Sequence, residues 1–370
     1  MRLTSTDFVF NPDDFRDAKF IDGGELDSDQ LNDGEVIIAV DRLALTANTI
    51  SYGIAGKSGL IRYLESFPTE APYARMPFWG FGDIVASAHP DLPVGERLYG
   101  FYPLSTYLLC QMDHVSAVSC RDMTPSRAGI PGFYSDYARA TAEPGYAAEF
   151  DDIQSLLRPV ISTSFLLESY LMDHDFYNTR NIIITSASSK TAFGFGHFLV
   201  NKHSDKCRAI GLTSASNKAF VEKTGCYHQV LTYDEVDQLP LESATVFDMA
   251  GNAQLRQAIH QRLGDHIAYS GIVGATHWDA GGVSKNLPGP RPVFWSGPDQ
   301  IARLEKKLGS THNILNEVQG QVLGLILESA NWLEISQFQG EAEITSAYRD
   351  MLDGKVGAET GLIFCAKGGF

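Results

Sequence analysis

The sequence predicts an α/β protein in which a β-rich domain is followed by a doubly wound parallel sheet. Two contrasts carry this reading. Up to about residue 120, short apolar runs alternate with glycine and proline, the rhythm of a compact β domain. From about residue 151, strand-like runs alternate with helix-length amphipathic segments, which argues for a parallel sheet flanked by helices.

Taken in order, strands are expected at GEVIIAV (34–40), FGDIVASA (81–88), ERLYGFYPL (96–104) and TYLLCQM (106–112). The stretch 121–150 is rich in Pro, Gly and Tyr, lacks either period, and reads as a connector. An amphipathic helix then covers DIQSLLRPVISTSFLLESYLMD. Six strands follow at NIIIT (181–185), RAIGLT (208–213), QVLTY (229–233), TVFDMA (245–250), HIAYSG (266–271) and RPVFWS (291–296), with helices between them. After a helical stretch at 299–330, WLEISQF, the helix EAEITSAYRDMLDG and the strand GLIFCAK return to the style of the first domain. The expected division is therefore 1–135 with 330–370, and 136–329.

Composition narrows the function. At 370 residues, with roughly 150 per domain as a prior, each domain is long enough to bury its own core. A net charge of −16 repels a phosphate backbone and an anionic membrane, so neither nucleic acid nor membrane is expected as a partner. The five cysteines are scattered without a C-x-x-C pair, and the start MRLTSTDFVFNPDD has no apolar core, so a reducing, cytoplasmic setting is expected.

The most informative stretch is NIIITSASSKTAFGFGHFLV (181–200). A β-branched strand runs into a turn of small residues and then a helix-length apolar run, the setting of a dinucleotide fingerprint. Ser186, Ser189 and Ala192 hold the spacing at which the usual pattern places glycines. Ser188, Ser189 and Thr191 add hydroxyls, Lys190 adds a charge, and the N–H groups opening the helix point at phosphates. The same turn also suits a plain serine N-cap with no ligand. A nucleotide-triphosphatase loop is disfavoured because Ser189 and Ile184 stand where it needs glycine.

The next strand ends in Thr213 and Ser214 instead of the acid that holds the ribose of NAD. Lys218 lies one helical turn on and Tyr233 closes the third strand. This set selects NADP(H), although an ordinary strand end with a solvated lysine has the same sequence. Ala250 and Gly271, at the ends of the fourth and fifth strands, are expected to border the nicotinamide half.

The order of GEVIIAVDRLALTANTI, MPFWGFGDIVASAHPDLPVGERLYGF, NIIITSASSKTA, SNKAFVEKTGCYHQVLTY, TVFDMAG and AYSGIVG resembles the medium-chain dehydrogenase/reductase superfamily, quinone oxidoreductase and enoyl reductase branch. TSASSKTAFGFG, PFWGFGDI, LRPVISTSFLLESY and AYRDMLDGKVGAETGLIF bring the likeness closer still to the DUF2855 proteins. The resemblance implies a GroES-like β domain and a Rossmann domain with the active site in the cleft between them. It also implies 2′-phosphate contacts at Lys218 and Tyr233, and a match of Asn48 to the asparagine of an N-x-x-D motif, in which Ser51 replaces the aspartate. Where zinc members carry Cys and G-H-E, this chain has Ala47-Asn48 and Trp79-Gly80-Phe81, so no zinc is expected.

Without a metal, a carbonyl is polarised by a hydrogen-bond donor. Tyr52, four residues past Asn48, is the candidate; core packing is its other reading. Tyr134, Tyr137, Tyr146, Phe133 and Phe150 either wall an apolar pocket or pack between domains. The implied activity is NADPH-dependent, zinc-independent reduction of an apolar enone, quinone or enoyl thioester; the alternative is a catalytically idle NADP-binding sensor or structural protein. The run at 291–296 is expected as the edge of a homodimer, unless the helix at 299–330 covers it.

Overall fold

Alternating apolar residues in the N-terminal region form strands, as a period of two requires. The computed structural model describes residues 1–59, 61–274, 287–309, 311–329 and 332–370. It divides into two compact units, Met1–Leu156 with Leu333–Phe370, and Leu157–Trp332.

In the first unit, β1 (Arg2–Asn11) and β2 (Asp14–Asp27) form an antiparallel pair. An eight-stranded sheet contains β3 (Glu35–Leu45), β4 (Pro77–Ser87), β5 (Arg97–Pro103), β6 (Tyr107–Asp113), β7 (Ser119–Asp122) and β8 (Asp136–Arg139). It is completed by β15 (Glu334–Gln339) and β16 (Thr360–Cys365), in the order 15-16-3-4-5-8-7-6. β3 also pairs with β6, so the sheet curls back on itself like a barrel. Phe78, Phe81, Phe101, Tyr102 and Phe364 are fully buried in its core. Two helices pack on it: α1 (Ala47–Lys57), and α8 (Glu341–Leu352), which contributes Ile344, Ala347 and Tyr348.

The stretch expected as an irregular connector holds β8, which pairs with both β5 and β7. Tyr137 on β8 is fully buried against Gly100, and its hydroxyl donates to the Phe101 carbonyl at 2.7 Å. These bonds carry the first unit on to Leu156, past the expected boundary at 135; the expected boundary at 330 lies outside the described residues.

α2 (Asp151–Asp173) leads into the second unit. There β9 (Asn181–Ile184), β10 (Arg208–Thr213), β11 (Gln229–Thr232), β12 (Ala244–Asp248), β13 (Ile267–Ile272) and β14 (Val293–Phe294) form a parallel sheet of order 11-10-9-12-13-14. Counted from β9 this is 3-2-1-4-5-6, the doubly wound order, and the winding reverses between β9 and β12. The helices are α3 (Lys190–His203), α4 (Lys218–Lys223), α5 (Ala253–Leu263), α6 (Gly297–Leu308) and α7 (Thr311–Ser329). The single helical stretch expected at 299–330 is two helices, because Gly309 adopts φ +89° and ends α6. β14 is two residues long instead of the expected six: Pro292 cannot donate to a ladder, and Ser296 already caps α6. No described helix is long and apolar enough to cross a membrane.

β3 carries a register shift between Val40 and Arg42, where Asp41 is the extra residue, and beyond it Leu43 pairs with Gly80. A Cβ on Gly80 would collide with the Arg42 carbonyl. Gly80→Ala is therefore expected to destabilise the protein by about 1–3 kcal/mol, read as a lower urea midpoint with an unchanged slope.

Candidate active site

The strand–turn–helix from β9 to α3 leaves Thr185–Ser189 as a tight turn. Ser186 holds φ +49°, a left-handed conformation that glycine adopts more readily. Ser189 caps α3, its Oγ accepting from the Ala192 N–H at 3.3 Å, and Ala192 is fully buried. Ser188 Oγ accepts from Asn217 Nδ2 at 3.1 Å, which ties the turn to the segment after β10. The Thr191 carbonyl accepts from Ser164 Oγ at 2.8 Å. Ser188 and Ser189 thus close the turn and Lys190 and Thr191 open α3, a helix N-terminus that favours phosphate.

At the end of β10, Thr213 is fully buried and its Oγ1 has no hydrogen-bond partner among the described residues. Ser214 Oγ lies 2.9 Å from Ser216 Oγ. Lys218 Nζ donates to Glu235 Oε2 at 2.9 Å, and the same oxygen accepts the Thr232 N–H at 2.8 Å. The Thr232 N–H, and after it Lys218, hold the Glu235 carboxyl below its ordinary range. Sequence reasoning missed Glu235, although T-x-x-E at 232–235 is the signature of a capping box, which the structure contains. Tyr233 packs its ring against the cluster that includes Leu231 and Val236. Ala250 follows β12, and Gly271 in β13 pairs with Phe247; a Cβ on Gly271 would press against the Tyr269 ring at 2.8 Å. These positions gather at the carboxyl ends of strands around the reversal, where open α/β sheets bind ligands.

In the first unit, Thr46 and Thr49 form a capping box that starts α1 directly after β3. Asn48 and Tyr52 then lie one turn apart on one helix face, and Asn48 Nδ2 donates to the Tyr52 hydroxyl at 2.8 Å. Trp79 Nε1, from β4, donates to the same oxygen at 2.9 Å. With two donors on that oxygen, what remains to Tyr52 is its own O–H, which makes no hydrogen bond to another described residue. Tyr52 is 8% exposed, and its ring meets those of Tyr63 and Phe101 at 4.9 and 5.2 Å. Burial raises the phenol well above its ordinary value of 10, so the proton stays in place.

Ser51 Oγ turns back to the Ala47 carbonyl at 3.1 Å. Tyr134 and Phe133 pack against Trp79 with tilted rings, and Tyr63 donates to the Tyr134 hydroxyl at 2.8 Å. Tyr137 is core, and Tyr146 reaches Asp151 at 3.4 Å. Among the described residues, no group of three His, Cys, Asp or Glu side chains is placed to hold a metal ion.

Solved structures share this two-part fold at low sequence identity. CurA from Vibrio vulnificus in complex with NADPH matches with a TM-score of 0.61 and 12% identity over 97% of this chain and 98% of that one. A mutant form of enoyl thioester reductase from Candida tropicalis matches at 0.56 and 12% over 98% and 100%. A NADPH:quinone reductase, described as putative, from Bacillus thuringiensis matches at 0.57 and 13% over 98% and 99%. These likenesses establish the fold expected from the resemblance to medium-chain dehydrogenases/reductases. A comparison with curated proteins gives no match. The family model described as "Protein of unknown function (DUF2855)" matches residues 43–357, and the chain belongs to that family.

Proposed function

We propose that the protein is an NADPH-dependent reductase that transfers hydride to a polarised C=C or C=O group, as in an enone, quinone or enoyl thioester. The observation that carries this reading is the Tyr52 phenol. It is buried and protonated, two donors occupy its oxygen, and its O–H is left to meet an acceptor from outside the chain. A substrate carbonyl is such an acceptor, and a donor aimed at it stabilises the negative charge that develops there.

The second unit fits the cofactor. The serine turn opens α3 toward phosphates, Thr213 keeps an unsatisfied buried hydroxyl at the ribose end of β10, and Lys218 supplies an ammonium for a 2′-phosphate. Bound there, NADPH supplies the hydride. Ser188, Ser189, Lys190 and Thr191 would hold the pyrophosphate; Ser214, Lys218 and Tyr233 would face the 2′-phosphorylated ribose; Ala250 would border the nicotinamide half, while the bare Cα of Gly271 makes room for the Tyr269 ring. Asn48 orients Tyr52. The reaction needs no zinc, and a chelator is expected to leave the rate unchanged.

Purified protein given NADPH and a panel of enones, quinones and enoyl thioesters tests the reading by loss of nicotinamide absorbance. Absence of turnover across the panel would refute it and leave an NADP-binding protein without chemistry. With the best substrate, Tyr52→Phe is expected to lower kcat about a hundredfold and leave NADPH affinity near wild type; an unchanged kcat assigns the donor elsewhere.

Binding titrations are expected to give at least about a tenfold preference for NADPH over NADH, from one charge-assisted contact at Lys218. Lys218→Ala should abolish the preference while keeping NADH binding. Equal wild-type affinities would rule out the assigned phosphate contact.

We also propose a homodimer formed through β14. Val293 and Phe294 are 53% and 55% exposed on this edge strand, which supports pairing there. Light scattering at micromolar concentration should give twice the chain mass, and Phe294→Asp should shift it to the monomer.

A further inference from the structure

Where the parallel sheet reverses, one buried carboxylate ties together the loops that leave two neighbouring strands. β9 and β12 pair from Asn181 to Ile184 and from Ala244 to Phe247, and there their ladder stops. Asp248, the next residue, is 1% exposed. Its Oδ1 accepts from Thr185 Oγ1 at 3.1 Å, and from the N–H groups of Gly251 at 3.0 Å, Asn252 at 3.3 Å and Ala250 at 3.4 Å. Its Oδ2 meets Arg256 Nη1, on α5, at 2.6 Å. The Thr185 hydroxyl in turn accepts the Met249 N–H at 3.0 Å. A single carboxylate and a single hydroxyl therefore fix the whole segment Met249–Asn252 to the first residue of the phosphate turn.

We infer that Thr185 and Asp248 are positioning residues: they form a latch that sets the separation of the phosphate turn from the loop after β12, and so aligns the nicotinamide half of NADPH with its pyrophosphate. The inference rests on the NADP(H) reading above. Both side chains are buried, so they act through the backbone they hold. A loop ordered before the ligand arrives does not have to be ordered by it, and binding is tighter by that difference. The adenine half draws on other elements, the ends of β10 and β11 and the start of α4, which bond to the turn at Ala187 and Ser188 but, among the described residues, not to the side chains of Thr185 or Asp248. The two halves of the cofactor should therefore respond differently when it is broken.

Thr185→Val keeps the side-chain shape and removes the hydroxyl. NADPH and adenosine 2′,5′-bisphosphate, which lacks the nicotinamide half, are titrated calorimetrically into the full chain. The expected result is an NADPH affinity about tenfold weaker with bisphosphate affinity changed less than about twofold. Thr185→Ser, which retains the hydroxyl, should bind NADPH as wild type does. Equal weakening of both ligands would assign the pair to folding alone and overturn the latch, as would no change in either. If Thr185→Val does not fold, Asp248→Asn, which sets an amide against Arg256 and the loop N–H groups, is expected to give the same split. Wild-type protein that binds neither ligand would overturn the NADP(H) reading and the latch with it; a wild type that binds both with no split in the variants overturns the latch alone.

Discussion

Arg97, on β5, reaches three carboxylates at once: Asp83 on β4 at 2.8 Å, and Asp41 on β3 and Asp151 at the start of α2, each at 2.7 Å. The guanidinium is only 13% exposed. Burial works against its charge, but the hydrogen bonds and charges of the three aspartates outweigh that and raise its pKa. Burial raises Asp151 even with Arg97 facing it. Removing one member of such a cluster strands buried charge, a defect of about 3–5 kcal/mol. Asp41 is the extra residue of the β3 bulge, so pinning it sets the register beyond. Ala44 then falls opposite Trp79, β3 ends at Leu45, and Thr46 caps α1 at once. The Trp79 indole meets the Tyr52 hydroxyl because that register brings β4 under the helix.

The second unit solves a different problem, how to bring backbone close to backbone without the usual glycines. Ser186 takes the left-handed conformation itself, at a cost on the order of 1 kcal/mol. Close approach between turn and sheet is supplied from the neighbouring strand instead. A Cβ on Gly211 of β10 would stand 2.9 Å from the Ala187 Cβ and from the Tyr227 ring. With Gly211 bare, the Ala187 N–H reaches the Leu212 carbonyl at 2.9 Å and Tyr227 OH reaches the Ala187 carbonyl at 3.0 Å. The space a fingerprint glycine normally provides in the turn is provided one strand away.

This explains what was legible in the sequence. The strands β9 to β13 announce themselves as short, largely apolar runs bounded by turn residues, and RAIGLT at 208–213 coincides with β10, whereas β14 is only two exposed residues of the run RPVFWS. β2 does not, since its DFRDAKFIDGGELD is largely exposed and carries no apolar alternation, and the four-residue β7 and β8 are too short for any period to register. Within the candidate site, Asn48 is legible through the resemblance and Tyr52 through its place four residues further on, whereas the Trp79 contact depends on strand register 27 residues away. Asp248 left a trace: an acid inside the apolar run TVFDMA is out of place unless it is paired, and its partner Arg256 lies eight residues on.

Glu235 bears most directly on the proposed cofactor choice. Its carboxylate neutralises Lys218 in the free protein, which at first sight removes the reason for a 2′-phosphate to bind. The balance of energies points the other way. Both side chains are about one-third exposed, so solvent screens the ion pair and leaves it weak, whereas a charge-assisted hydrogen bond to phosphate is the stronger contact. Lys218 has three N–H groups, of which Glu235 takes one. Glu235 is itself anchored by the Thr232 N–H, so it holds the ammonium at the strand end instead of letting it range through solvent. In the proposed site the carboxylate tempers the preference for NADPH through repulsion and supports it through orientation, and the phosphate contact remains the larger quantity.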